Sequence, residues 1–96
     1  MSKIQTFHVH HETEPNWGHV TQPFNEENFT FVATVRVASI DDVFERTNHI
    51  MSDWTENEEV TKAPGATHFR STSIGDVVVD ENGVRYRCVA RGWEVF

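Results

Sequence analysis

RSTSIGDVVVDENGVRYRCVARGWEVF, residues 70–96, is the stretch that decides the fold of this chain. Its three consecutive valines, residues 77–79, predict an apolar strand, and the DENG that follows is a turn sequence whose Asn or Gly can take a positive φ. Residues 84–89 then predict the returning strand, and a glycine separates them from a short last strand over residues 93–96. The segment therefore predicts a hairpin followed by a third strand.

Upstream of this segment, two alternating runs and one helical stripe predict the other elements. Residues 4–10 alternate with the period of a half-buried strand, and residues 29–37 predict a longer strand whose inner face carries Phe29, Phe31, Ala33, Val35 and Val37. Ser39 is a good helix N-cap with Asp42 three residues later. The helical stripe that follows comprises Ile40, Val43, Phe44, Thr47 and then Ile50 or Met51.

The order of these elements predicts an α+β fold. We expect one helix packed on a small curved, mainly antiparallel sheet of about five strands. The chain has 96 residues, enough for one modest core, so residues 1–96 are predicted to form a single domain. Residues 12–28 and 52–67 are rich in polar residues and contain the prolines, and they are predicted to be long loops.

The net charge and the single cysteine limit the classes of function that fit this chain. The formal net charge is −7, with the acidic excess in residues 1–60 and a near balance in residues 61–96. Such a surface disfavours binding to nucleic acid or to anionic membranes, because phosphate contacts need Lys and Arg. The only cysteine, Cys88, cannot form an intramolecular disulfide and is predicted to be a small core residue. The sequence shows no apolar leader and no membrane-spanning run, which favours a cytoplasmic protein.

The same C-terminal stretch carries a resemblance to a known group of proteins. Its R-S-x-S-x-G-D-V-V run, the Gly-containing turn, the aromatic strand and the final G-W resemble the tails of small uncharacterised proteins of actinobacteria, their phages and other mobile elements, and are similar to YodL-like domains. The middle segment SIDDVFERTNHIMSDWTENEEV also resembles these proteins, so the resemblance covers residues 29–96. It implies an accessory protein of a phage or mobile element, working in the host cell cytoplasm. It brings no activity and no catalytic residues.

The leading functional hypothesis is a non-enzymatic module that binds a basic protein partner. Aromatic anchors dominate interface energies, and an acidic rim steers basic partners. A sharper version is an inhibitor that presents carboxylates in place of phosphates to a nucleic-acid-binding host protein. The predicted partner-binding residues lie on the helix and in the following loop: Asp41, Asp42, Glu45, Asp53, Trp54, Glu56, Glu58 and Glu59.

A second hypothesis is a small-molecule-binding or enzymatic domain that uses residues around the Gly-Asp corner, namely His68, Arg70, Ser73 and Asp76. Ser, Arg and Asp can together form a nucleophile or an anion pocket. However, no base for Ser73 is recognisable and GxSxG is absent. The simpler interpretation is that Ser73 and Asp76 hydrogen-bond backbone donors while Arg70 pairs with Asp76 or with an acidic group on the helix. We therefore assign no catalytic residue.

A third hypothesis places single-stranded nucleic acid on the C-terminal strands, where Arg85, Arg87 and Arg91 surround Tyr86. Strands that carry Arg and aromatic residues can hold a single strand. The acidic remainder of the chain makes direct nucleic-acid binding the least favoured of the three. An exposed edge strand on so small a sheet would also permit a homodimer.

The histidines of the first strand raise the question of a metal site. His8 and His10 share a face at a spacing of about 7 Å, and with His11, Glu12, Glu14 or His19 they could ligate zinc or nickel. There is no Cys pair, no HExxH and no second ligand pair at a fixed spacing. The sequence thus predicts neither a physiological metal site nor a cofactor.

Overall fold

The fold was analysed in a computed structural model, which describes residues 4–14, 21, 23–47, 58–66 and 70–96. These residues form one helix and a six-stranded sheet in which every pairing is antiparallel, so the fold is α+β. No described helix is long and apolar enough to span a membrane. The elements in chain order are β1 (Gln5–Glu12), β2 (Phe29–Val37), α1 (Ile40–Thr47), β3 (Val60–Lys62), β4 (Val77–Asp80), β5 (Arg85–Val89) and β6 (Gly92–Val95).

Strand β1 lies in the middle of the sheet, whose order is β3-β2-β1-β4-β5-β6. One edge of β1 pairs with β2, with Phe7 opposite Val35, and its other edge pairs with β4, with Val9 opposite Val78. The C-terminal hairpin is confirmed, since β4 and β5 are joined by the DENG turn and Gly83 has a φ of 84°. Asp80 holds this turn, because its Oδ1 accepts hydrogen bonds from the backbone N–H groups of Asn82 and Val84, both at 2.9 Å.

The prediction of about five strands was wrong by one. Residues 52–67 were predicted to be a loop, but Val60–Lys62 form β3, which pairs with β2. Val60 lies opposite Val35 and is the buried residue of this short strand. A three-residue strand with one apolar side chain is too short to show an alternating pattern in the sequence. The segment is a strand because it pairs with β2, and that pairing cannot be predicted from its own residues.

Helix α1 covers one face of the sheet. Ser39 caps it as predicted: the Asp42 backbone N–H donates to Ser39 Oγ at 3.4 Å, and Ser39 Oγ donates to the Asp42 carboxylate at 3.2 Å. Val43 is fully buried against the sheet, and Ile40 and Trp93 pack at the border of the core. The buried core residues are Phe7, Val9, Val32, Ala33, Val35, Val37, Val43, Val60 and Val78.

A β-bulge in β2 divides its aromatic residues from its aliphatic ones. The register with β1 shifts between Val9 and His10, so that Val9 lies opposite Ala33 while His10 lies opposite Phe31. The extra residue, Val32, is buried in the core, whereas Phe31 is on the face that α1 does not cover. The sequence prediction that Phe31 shares a face with Ala33 and Val35 was therefore wrong, because strict alternation does not allow for a bulge.

Candidate functional site

The Asp76 carboxylate is the centre of a buried polar network that fastens residues 70–76 to the end of β1. Its Oδ1 accepts hydrogen bonds from the backbone N–H of Glu12 at 2.8 Å and from Arg70 Nη2 at 2.7 Å. Its Oδ2 accepts from Arg70 Nη1 and from the backbone N–H of Ser73, both at 2.7 Å. These four bonds use the acceptor capacity of a carboxylate. We call Asp76, Arg70 and the backbone groups of Glu12 and Ser73 the Asp76 clamp.

Three residues of the predicted alternative site, Arg70, Ser73 and Asp76, come together in this clamp, while His68 lies outside the described residues. The Ser73 hydroxyl donates to the main-chain carbonyl of Ser71 at 3.1 Å. A serine nucleophile needs its proton directed at a general base, and a carbonyl cannot serve as one. The described geometry is therefore that of a structural clamp, with the guanidinium and the carboxylate bound to each other rather than to a ligand.

His11 also belongs to this network, although the sequence suggested it only as a potential metal ligand. It is 3% exposed, and its Nε2 lies 2.9 Å from Thr72 Oγ1 and 3.9 Å from Asp76 Oδ2. Burial lowers the pKa of His11 to about 4, and the nearby Arg70 and His10 also lower it, which outweighs the opposite effect of Asp76. His11 is therefore neutral near pH 7, and its approach to Asp76 is a polar contact rather than an ion pair.

The lowered pKa values of His11 and His10 predict that acid destabilises the protein. Burial, with the neighbouring His8, also lowers the pKa of His10 to about 4. As the pH falls from 6.5 towards 4, the unfolded chain binds these protons before the folded chain does, so the free energy of unfolding must fall across this window. The fully developed effect is about 3 kcal/mol for His11 and smaller for the less buried His10.

Urea denaturation at a series of pH values measures this dependence. We expect His11→Gln and His10→Gln each to flatten the slope of unfolding free energy against pH, with His11→Gln the larger effect. A wild-type unfolding free energy that stays constant between about pH 6.5 and 5 would contradict the assignment of neutral, buried imidazoles.

The predicted partner-binding residues on α1 and ahead of β3 lie close to one another. Asp41 and Glu45 are exposed and one helical turn apart. Arg46 joins the helix to the segment before β3, because it contacts Glu45 Oε1 at 3.3 Å and Glu59 Oε1 at 3.7 Å. We call Asp41, Glu45, Glu58 and Glu59 the acidic face. Asp42 is engaged in the helix cap, and Asp53, Trp54 and Glu56 lie outside the described residues.

An apolar notch adjoins this acidic face. Phe44 is 38% exposed, and its ring meets that of Trp93 edge-on, with 6.4 Å between centroids and 78° between planes. Together with Asp41 and the β5–β6 turn, these rings line a cavity of about 290 Å³. The sequence assigned Phe44 to the buried stripe and Trp93 to closure of the sheet. The stripe on an eight-residue helix is wide enough for Val43 to be buried while Phe44 stays at its edge.

The residues of the nucleic-acid hypothesis lie on different faces of the sheet. Tyr86 lies opposite Val78 on the helix side of the sheet, with its hydroxyl donating to Asp80 Oδ2 at 3.2 Å, whereas Arg85 and Arg87 point to the other side. Tyr86 and these arginines therefore lie on opposite faces, as the alternation of strand residues predicts. Arg91 lies in the β5–β6 turn and lines the notch.

The histidines and the cysteine offer no reactive site among the described residues. His8 and His10 both contact the Phe31 ring, at 5.8 Å and 5.3 Å between centroids. Within the described ranges, no group of three or more His, Cys, Asp or Glu side chains is placed to hold a metal ion. Cys88 is buried, and burial together with nearby Asp76 raises the pKa of its thiol to about 11, so the thiol is protonated near pH 7.

Comparisons with protein-family models, with curated proteins and with solved structures found no match to this chain. Its candidate functions therefore rest on the surfaces described above.

Proposed function

We propose that this protein is a non-enzymatic binding module that captures a basic protein partner at the acidic face and the adjoining apolar notch. The observation that carries the proposal is the contact of the two surfaces at Asp41, which belongs to the acidic face and also lines the notch. A carboxylate rim beside an exposed aromatic ring combines the two features that dominate interface energies: an apolar anchor and charges that steer the partner.

The acidic face and the notch are expected to contribute to binding in different ways. Glu45 and Glu59 are exposed and partly neutralised by Arg46, so they contribute little to affinity by themselves and act mainly on the association rate. The notch offers apolar area, at Phe44 and Trp93, that an inserted side chain would remove from water. The partner chemistry that fits is a basic surface that presents one aliphatic or aromatic side chain.

The biological setting that fits this chemistry is an accessory protein of a phage or mobile element, acting in the host cytoplasm. The resemblance of residues 29–96 to such proteins supports it. An inhibitor of a nucleic-acid-binding host protein is the specific form we favour, since such a target has a basic groove that carboxylates can occupy. The enzymatic alternative has less support, because Arg70 and Asp76 bind each other in the clamp.

The test is capture of partners from host lysate, followed by binding measurements with the purified partner. We expect Asp41→Lys with Glu45→Lys to slow association with the partner, and Phe44→Ala to weaken binding at least about tenfold, which is ~1.4 kcal/mol. The matched control is Glu81→Lys with Glu94→Lys, which changes the net charge equally at exposed positions away from α1. Binding that depends on Glu81 and Glu94 but not on Asp41 and Glu45 would refute the proposal.

A further inference from the structure

The face of the sheet opposite α1 is a second surface with its own chemistry, and we call it the open face. Cross-strand register places Arg36, Phe31, His8, His10, Arg85 and Arg87 on it. Phe24 and Phe96 are the described side chains whose rings lie over this face. Phe31 is 37% exposed there although it is a large apolar side chain. Phe31 lines one cavity on this face with Phe24 and Phe29, and a contiguous apolar patch of this kind marks an interaction site.

The aromatic rings on the open face form a connected array. His10 stands between Phe31 and Phe24, with ring centroids 5.3 Å and 5.0 Å away. Phe24 also meets Phe96 at 6.3 Å, and together with Phe29 and Phe31 it lines a cavity of about 320 Å³. Burial lowers the pKa of His10, which leaves it a neutral ring near pH 7. The array offers flat, apolar surfaces of the kind on which nucleobases stack.

Basic side chains border this array. The guanidinium carbons of Arg85 and Arg87 lie 4.8 Å and 4.2 Å from the Phe96 ring centroid, which fixes both groups over the sheet. Arg36 is exposed three strands away, about 14 Å across the sheet by the usual strand spacing, and it is offset along the strands by two residues from Arg85 and four from Arg87. Glu94, opposite Arg87, and Glu26, at the cavity, are acidic residues on this side. The buried Glu12, opposite Phe29, is a third.

The net charge of −7 does not decide what the open face can bind, because the charges are separated. Asp41, Glu45, Glu58 and Glu59 are on α1 and before β3, on the other side of the sheet or at its edge. A packed layer is about 10 Å thick, and the Debye length at physiological ionic strength is about 8 Å. A ligand on the open face therefore responds mainly to the charges of that face, the arginines together with Glu26 and Glu94, while the distant carboxylates reduce its affinity without preventing contact.

We infer that the open face binds single-stranded nucleic acid, with bases stacked on Phe31 and Phe24 and phosphates held by Arg36, Arg85 and Arg87. Stacking requires bases that are free of a duplex, and a broad sheet does not fit the major groove as a helix does. This inference goes beyond the proposed protein-binding function and uses the opposite side of the molecule. Its residues share a single face of the sheet, whereas Tyr86 lies on the opposite face.

Fluorescence anisotropy with a labelled oligothymidine of about 15 nucleotides tests this inference on the purified full chain. We expect binding at low salt that weakens as salt rises, with a slope of log K against log [salt] near about −2, as for three phosphate contacts. Phe31→Ala is expected to reduce affinity at least about fivefold, as the loss of one stacked base would. Arg85→Ala and Arg87→Ala should each reduce both affinity and the salt slope.

The chain supplies matched controls for both kinds of change. Ile74 has the same exposure as Phe31, 37%, and Ile74→Ala should leave oligonucleotide binding unchanged. Lys62 is exposed opposite Ala33, whose side chain is in the core on the helix side, so Lys62→Ala removes one charge away from the open face. Circular dichroism of each variant verifies folding. No binding at low salt, tighter binding of the duplex, or equal losses in Phe31→Ala and Ile74→Ala would overturn the inference.

Discussion

Replacing Asp76 with alanine is expected to lower the free energy of unfolding by about 3–5 kcal/mol, since it breaks a buried ion pair by removing one partner. The substitution removes the two carboxylate oxygens that accept from the Arg70 guanidinium, which keeps its hydrogen bonds to the main-chain carbonyls of Ser71 and Glu12. It also leaves the backbone N–H groups of Glu12 and Ser73 without their carboxylate. A domain of this size has a total stability of about 5–15 kcal/mol, so the variant should be marginally folded. Urea denaturation measures the loss.

Asp80 provides a matched buried carboxylate at the other end of β4. It binds two backbone N–H groups and the Tyr86 hydroxyl but no cation, so Asp80→Ala should cost less, about 1–3 kcal/mol. The double variant Arg70→Ala/Asp76→Ala should be less destabilised than the sum of its single variants, because each single change leaves the other charge unpaired. Equal losses of unfolding free energy for Asp76→Ala and Asp80→Ala would show that the pairing with Arg70 adds nothing to stability.

Replacing Gly75 with alanine should be the second most damaging change, at about 2–4 kcal/mol, because backbone strain and steric overlap add at this residue. Gly75 has a φ of 99°, which L-residues rarely adopt. A Cβ there would also overlap the Glu12 side chain, with Oε1 in direct collision and Cδ only 2.8 Å away. Because Glu12 is buried and its backbone N–H is held by Asp76, the carboxyl has little room to move.

The variant Gly83→Ala separates the cost of backbone strain from the cost of steric overlap. Gly83 has a similar φ of 84°, but no atom lies within 4 Å of the position that its Cβ would take. Gly83→Ala should therefore show the strain alone, about 1–2 kcal/mol. In a Glu12→Ala background the additional cost of Gly75→Ala should fall to that of Gly83→Ala. If the two glycine substitutions cost the same in the wild-type background, the close approach of Glu12 does not matter for stability.

Local signals in the sequence predicted the hairpin and the helix start correctly. The DENG turn needs a positive φ at one position, and Gly83 has it. Ser39 and Asp42 form the predicted cap. Both features depend on residues within four positions of each other, which is the range over which sequence patterns report backbone conformation.

Features that depend on distant pairings could not be predicted. The bulge at Val32 is defined only by the register with β1, and it alone moves Phe31 from the core to the open face. His11 follows the predicted first strand, and its buried contact with Thr72 joins residues 61 positions apart, which no local pattern reports. The part of the Asp76 clamp that involves Arg70 and Ser73 could be predicted, because both residues are close to Asp76 in sequence. The contact with the Glu12 backbone could not, because Glu12 is far from Asp76 in sequence.

The central place of β1 has a consequence for the order in which the protein folds. Glu12 ends β1 and Val77 begins β4, so β1 leaves the ribosome long before the strand that completes its second edge is made. Pairing across such a separation is slow, because the loop between the partners must first close. Until then β1 exposes a row of unpaired backbone groups beside Phe7 and Val9, a surface prone to aggregation. Docking of the β4–β5 hairpin onto β1 is thus the step on which productive folding of the nascent chain depends.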